Sequence, residues 1–154
     1  MATMAGAQIQ PAMSAPQSGA PTQGSAMVEC PWLTRGTAAA VLGGDEFLAV
    51  SIESHAEGSC MFHNQQKPPE ALAITVSSTV PRTCREKSVN LAGIANWASL
   101  CSVSRSHHRH IESVSGQVRN TYFTVALSFR QETKWRARDT DIEQIAEIVA
   151  GNLY

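Results

Sequence analysis

The sequence predicts an α+β fold in a single domain: a mainly antiparallel sheet of about five strands with an amino-terminal and a carboxy-terminal helix packed on it. Three observations carry that expectation. In NTYFTVALSF (120–129), Phe123, Val125, Leu127 and Phe129 alternate with Tyr122, Thr124, Ala126 and Ser128, the period of a strand with one buried face. Near the carboxy terminus, Ile142, Ile145, Ala146, Val149 and Leu153 recur at helical spacing behind Thr140-Asp141-Ile142-Glu143, which reads as a capping box. Between Cys30 and Cys60 a short helix signal is followed by alternating strand patterns.

Taken in order, residues 1–29 contain Ala, Gly, Ser, Gln, Thr and Pro almost throughout, and the first charged residue is Glu29. Such a stretch buries too little apolar area to offset its ordering entropy, so 1–29 reads as a disordered leader and 30–154 as the domain. The leader lacks the basic start and apolar core of a signal peptide; the expectation is that a signal was removed and a start methionine added. Thr34 is a good N-cap for RGTAAAVL (35–42), with Leu33, Ala38 and Val41 inward and Gly43-Gly44 as the stop. That glycine pair lacks the spacing of a phosphate-binding loop.

Residues 46–54 predict the first strand, with Phe47 and Ala49 on one side and Leu48, Val50 and Ile52 on the other. After a turn at Ala56-Glu57-Gly58, GSCMFH (58–63) makes a second strand, and ALAITVS (71–77) a third that forms a hairpin with it. Residues 81–90 are polar and turn-rich around Cys84. The stretch VNLAGIANWASLCSV (89–103) reads either as a loop with a helical turn or as strand, loop and strand, with Trp97 beneath a bridge at Cys101. RSHHRH (105–110) is a polar run. The strongest strand signals follow, at 111–117 and 118–130, and a charged connection at 131–138 leads to the terminal helix.

Composition bounds the function. The chain has 154 residues, and a folded part of this size buries roughly two-thirds of its unfolded surface, enough for its own core. Twelve Lys and Arg against 13 Asp and Glu leave a net charge of −1, which supplies no field for nucleic acid or an anionic membrane. No run of 18 apolar residues is present to make a transmembrane helix. The four cysteines lack CxxC spacing, which argues against a zinc ribbon or a thioredoxin motif. Of three connectivities, Cys30–Cys60 with Cys84–Cys101 is favoured because each pair brackets a local unit. Two such bridges place the protein in an oxidising compartment, periplasmic or secreted; four buried thiols in a cytosolic protein are the alternative.

Chemistry is sparse. His107, His108 and His110 fall within four residues, and with His55 or His63 they suggest a zinc, copper or nickel site; the competing reading is an exposed polar loop beside Arg105 and Arg109. Arg119 and Tyr122 are placed on a sheet face suited to a sugar or an anionic ligand. No serine sits in GxSxG, and the carboxylates at Asp139, Asp141, Glu143 and Glu147 belong to the terminal helix. No catalytic residues and no cofactor are assigned.

Several segments carry a resemblance: Cys30-Pro31-Trp32-Leu33-Thr34, Val41-Leu42-Gly43-Gly44, Ser59-Cys60-Met61-Phe62, Gly93-Ile94-Ala95-Asn96-Trp97-Ala98, Val118-Arg119-Asn120-Thr121-Tyr122-Phe123 and Val149-Ala150-Gly151-Asn152-Leu153. Over about residues 30–154 the chain resembles small exported bacterial domains of unknown function, found as lipoproteins or periplasmic proteins. Ala95 stands where that group carries the second glycine of a Gly-x-Gly segment. A lipid anchor is not carried over, since Cys30 lies too deep in the domain pattern. The resemblance implies an antiparallel sheet with helices packed on it, like the sandwiches of the PsbP type, and no activity. The expected role is a non-catalytic exported binding or interaction module of a bacterial envelope, with an envelope protein or a small ligand as partner. The alternative is a periplasmic small-ligand or metal-binding protein using residues 107–110.

Overall fold

A computed structural model describes residues 28–44, 46–65, 70–105, 109–130 and 135–154. The elements are α1 (Arg35–Leu42), β1 (Glu46–Ser54), β2 (Glu57–Asn64), β3 (Ala71–Ser77), β4 (Ser88–Leu91), β5 (Trp97–Arg105), β6 (Arg109–Val118), β7 (Thr121–Arg130) and α2 (Trp135–Gly151). The strands form one sheet in the order β1-β2-β3-β7-β6-β5-β4, with every neighbour antiparallel. Two meanders, β1–β3 and β4–β7, therefore meet where β3 pairs with β7. The expected disordered leader lies outside the described residues but for 28 and 29.

Side chains alternate between the two faces of a strand, so the pairing register sorts the whole sheet. One row on the core side runs Val50, Cys60, Ile74, Val125, Val114, Leu100. Another runs Leu48, Phe62, Leu72, Leu127, Glu112. The alternation read from 123–129 holds: Phe123, Val125, Leu127 and Phe129 are all buried. α1 packs against β1, β2 and β3, and α2 against β6 and β7. Ile142, Ile145, Ala146, Val149 and Ala150 of α2 join the same buried cluster as the sheet residues.

The local chemistry explains the ends of α1. Thr34 Oγ1 accepts from the amide of Thr37, and Gly43 at φ 76° takes the left-handed position that closes the helix. Ala38 and Leu42 are its buried residues, with Val41 half-buried. Asn64 then ties three segments together. Its buried Nδ2 donates to the carbonyl of Leu42 at the end of α1, and its Oδ1 accepts from the amide of Glu70. On the same side, the Cys30–Cys60 disulfide joins the amino-terminal arm to β2, and Trp32 is fully buried beside it. The Trp32 indole donates to the carbonyl of His55.

Three expectations need correction. There are seven strands rather than about five, because residues 89–103 supply β4 and most of β5 around a turn. β4 has four residues and β5 buries only Ala98 and Leu100 within its described part, so neither makes a strong apolar stripe. In that turn Ala95 holds a left-handed conformation, φ 58°, the geometry for which glycine is the usual choice. Second, α2 begins at Trp135, so Thr140 lies inside the helix and not at its cap; the strong helix formers Arg136, Ala137 and Arg138 carry the helix past the local signal. Third, Trp97 is not packed beneath a bridge: it is 40% exposed.

Candidate functional site

The face of the sheet away from the helices carries a band of small polar side chains. One row crosses all seven strands as Ser51, Ser59, Thr75, Thr124, Ser115, Ser99, Asn90. The hydroxyls of Ser115 and Thr124 are 3.0 Å apart, close enough to share a hydrogen bond. The next row toward one end of the sheet runs Ser77, Tyr122, Gln117, Trp97. The indole of Trp97 donates to Gln117 Oε1 at 2.8 Å, and Gln117 Nε2 donates to the carbonyl of Arg119. These two bonds hold the amide and the indole at the rim of the hydroxyl row.

The topology puts a strap over this face. From β3 in the middle the chain must reach β4 at the far edge, so residues 78–87 pass across β7, β6 and β5. Ser77 starts the crossing with a local turn, its hydroxyl donating to the carbonyl of Thr79 and accepting from the Thr79 amide. The Cys84–Cys101 disulfide then fixes the strap to β5. Cys101 pairs in register with Ser113, which places this bridge on the open face.

A cleft lies on each side of the strap. Toward β5 and β6 a cavity of about 310 Å³ is lined by Ser88, Ser99, Ser113, Ser115, Trp97 and strap residues 80–84. Toward β3 and β7 a cavity of about 220 Å³ is lined by Thr75, Ser77, Tyr122, Thr124 and strap residues 79–82. Val80, Pro81 and Arg82 border both. Among the described residues lining them there is no carboxylate and no imidazole, and Arg82 is the charged group. Serine hydroxyls without a base act as hydrogen-bond donors and acceptors, not as nucleophiles. A wider groove, about 530 Å³, lies between the β4–β5 turn and α2, and Glu143 and Glu147, one turn apart on the helix, are in its lining.

No family model, curated protein or solved structure matches the chain. Both expected disulfides form, and the described residues contain no free cysteine. None of the described helices is long and apolar enough to cross a membrane.

Among the described residues, His55, His63 and His110 stand apart. His107 and His108 lie outside the described residues. His110 is buried on the helix-covered side, tilted against the Phe129 ring, with Nε2 3.4 Å from Glu112 Oε1. Glu112 is fully buried in the row with Leu127. His63 points from the other face and stacks on Phe47, with ring centroids 5.3 Å apart. His55 sits in the β1–β2 turn. Among the described residues no three His, Cys, Asp or Glu side chains are placed to hold a metal ion.

Arg119 and Tyr122 are also separated in role. Tyr122 lines the smaller cleft. Arg119 forms the β6–β7 turn at φ 55°, its amide donates to Asn96 Oδ1 at 2.7 Å, and its guanidinium lies 5.7 Å from the centroid of the Tyr154 ring. The serines and threonines of the cleft are not singled out by the sequence. Each strand shows them at alternate positions, yet only the register brings them into one row.

Proposed function

We propose that this protein is a non-catalytic binding module of an oxidising, extracytoplasmic compartment, and that it takes a small polyhydroxylated ligand such as a sugar in the clefts beside the strap. The observation that carries the reading is the hydroxyl row of Thr75, Thr124, Ser115 and Ser99, flanked by Trp97 and Tyr122 and roofed by a disulfide-anchored strap. Hydroxyls and a planar amide exchange hydrogen bonds with sugar hydroxyls, and an aromatic face covers the apolar C–H side of a ring. The lack of a general base among the lining residues supports binding over turnover. Two disulfides support export, since such bridges persist where glutathione and thioredoxin do not reduce them. The resemblance to exported bacterial envelope domains points to the same compartment.

The test is a titration of the full chain with a panel of methyl glycosides, read at the Trp97 indole N–H by heteronuclear NMR. At least one glycoside is expected to shift that resonance saturably, and in Trp97→Ala, followed at the backbone amides of Ser99 and Ser115, binding is expected to weaken at least tenfold with the fold intact. If no glycoside shifts the resonance, or if Trp97→Ala binds as the parent does, the reading fails.

A further inference from the structure

The two edges of the sheet differ in a way that points to a partner. β4 is four residues long and follows directly on Lys87, with Arg85 just before it. A short edge flanked by cations is the usual protection against strand pairing. β1 has nine residues, contains no proline, and no Lys or Arg occurs between Arg35 and Lys67. Its outer backbone groups pair with no other strand among the described residues. Its side chains are open as well: Ile52 is 38% exposed on the helix side and Phe47 is 51% exposed on the other.

We propose that β1 is a homodimerisation edge, at which two copies of the chain pair antiparallel about a two-fold axis at Val50 and join their sheets into one. The sequence EFLAVSIES is self-complementary in that register. Leu48 lies opposite Ile52 of the second copy, and Val50 lies opposite its own counterpart, so the apolar helix-side row continues across the axis. Glu46 lies opposite Ser54 and Glu53 opposite Phe47, so no carboxylate confronts another directly. Residues 48–52 pair regularly across the axis, and the register shift between Ile52 and Ser54 falls at the two outer ends of the seam. Moving the axis to Ala49 sets Glu46 against Ile52 and leaves Glu53 and Ser54 outside. Isologous pairing of this kind closes on itself and leaves β4 as the outer, protected edge at both ends. The surface lies at the far side of the sheet from Trp97, so dimerisation does not depend on the ligand cleft.

Sedimentation velocity of the full chain over a concentration series tests this. A reversible monomer–dimer equilibrium is expected. Val50→Lys sets two lysines face to face across the axis and is expected to weaken the dimer at least a hundredfold, with circular dichroism and thermal midpoint reporting that the monomer is folded. Phe47→Lys places a lysine opposite each Glu53 and is expected to tighten the dimer severalfold at low salt, an effect that 0.5 M NaCl removes by screening (Debye length about 4 Å). Since Phe47 is already half exposed, this variant keeps the test open even where Val50→Lys unfolds. A full chain that stays monomeric overturns the proposal, including the case where removing residues 1–27 releases a dimer, which would assign the edge to the leader. Phe47→Lys weakening the dimer also overturns it, placing the contact on the Phe47 and Met61 face.

Discussion

The β1–β3 half and the β4–β7 half of the sheet each carry one helix and one disulfide, yet the two bridges lie on opposite faces. Cys60 points to the helix-covered side, where Cys30, Trp32 and Phe62 are buried with it. Cys101 points to the open side, half-buried, and holds the strap. The difference teaches that the bridges do separate work. The first completes a core that a short helix of eight residues covers incompletely. The second adds no side chain to the core; it fixes a connection that would otherwise be free to leave the sheet, and so shapes the clefts. Charge follows the same division. Between Arg35 and Lys67 every charged residue is acidic, whereas the strap carries Arg82, Arg85 and Lys87 against the single acid Glu86.

The comparison can be broken first at the bridges, where the effects are largest. The loops they close span 30 and 17 residues, worth about 3.5 and about 3 kcal/mol by loop-closure entropy. Cys30→Ser with Cys60→Ser is expected to cost the larger amount and more, since two buried sulfur atoms also leave the core, and denaturant unfolding measures it. Cys84→Ser with Cys101→Ser is expected to cost about 3 kcal/mol or less and to raise amide exchange in residues 78–91 while leaving β2, β3 and the second half of α2 protected. Equal exchange throughout the chain in both variants would erase the distinction.

Smaller effects sharpen it within the second half. A Cβ at Gly116 would come within 2.8 Å of the Phe123 ring and of the Trp97 carbonyl. The carbonyl belongs to a paired strand and cannot swing aside. Gly116→Ala is therefore expected to destabilise by about 1–3 kcal/mol, read by thermal unfolding. Smallest is the β4–β5 turn. Ala95 takes the left-handed conformation at φ 58°, which costs an L residue roughly 1 kcal/mol. Ala95→Gly is expected to raise stability by a few tenths to about 1 kcal/mol, reduced by the greater entropy of the unfolded glycine. A loss of stability would contradict the strain assigned to that turn.

Much of the helix-covered side is legible in the amino-acid sequence. The alternation of Phe123 to Phe129, the capping of α1 by Thr34 and Gly43, and the buried spacing of α2 from Ile142 to Val149 rest on apolar periodicity and cap chemistry, which are local information. The pairing of the cysteines follows from the units they bracket. The open side is not legible, for a physical reason. Its central band is Ser and Thr, whose alternation with buried positions is weak in β5 and short in β4. Its hydroxyl row depends on register between strands as distant in sequence as Thr75 and Thr124, and its clefts on a strap whose path is set by the strand order. Residue type does not reveal facing either: His110 turns inward onto Phe129, away from His63. Glu112 gives no sign of being buried, since its neighbours Ile111 and Ser113 alternate as in any strand.

The most direct test of the division between a stabilising bridge and a cleft-forming one is glycoside binding by the two bridge variants, measured by calorimetry at a temperature where both are folded. Cys84→Ser with Cys101→Ser is expected to weaken the parent's binding at least tenfold, and Cys30→Ser with Cys60→Ser to keep it. Equal binding by both variants, or loss on removal of Cys30–Cys60 alone, would contradict the division.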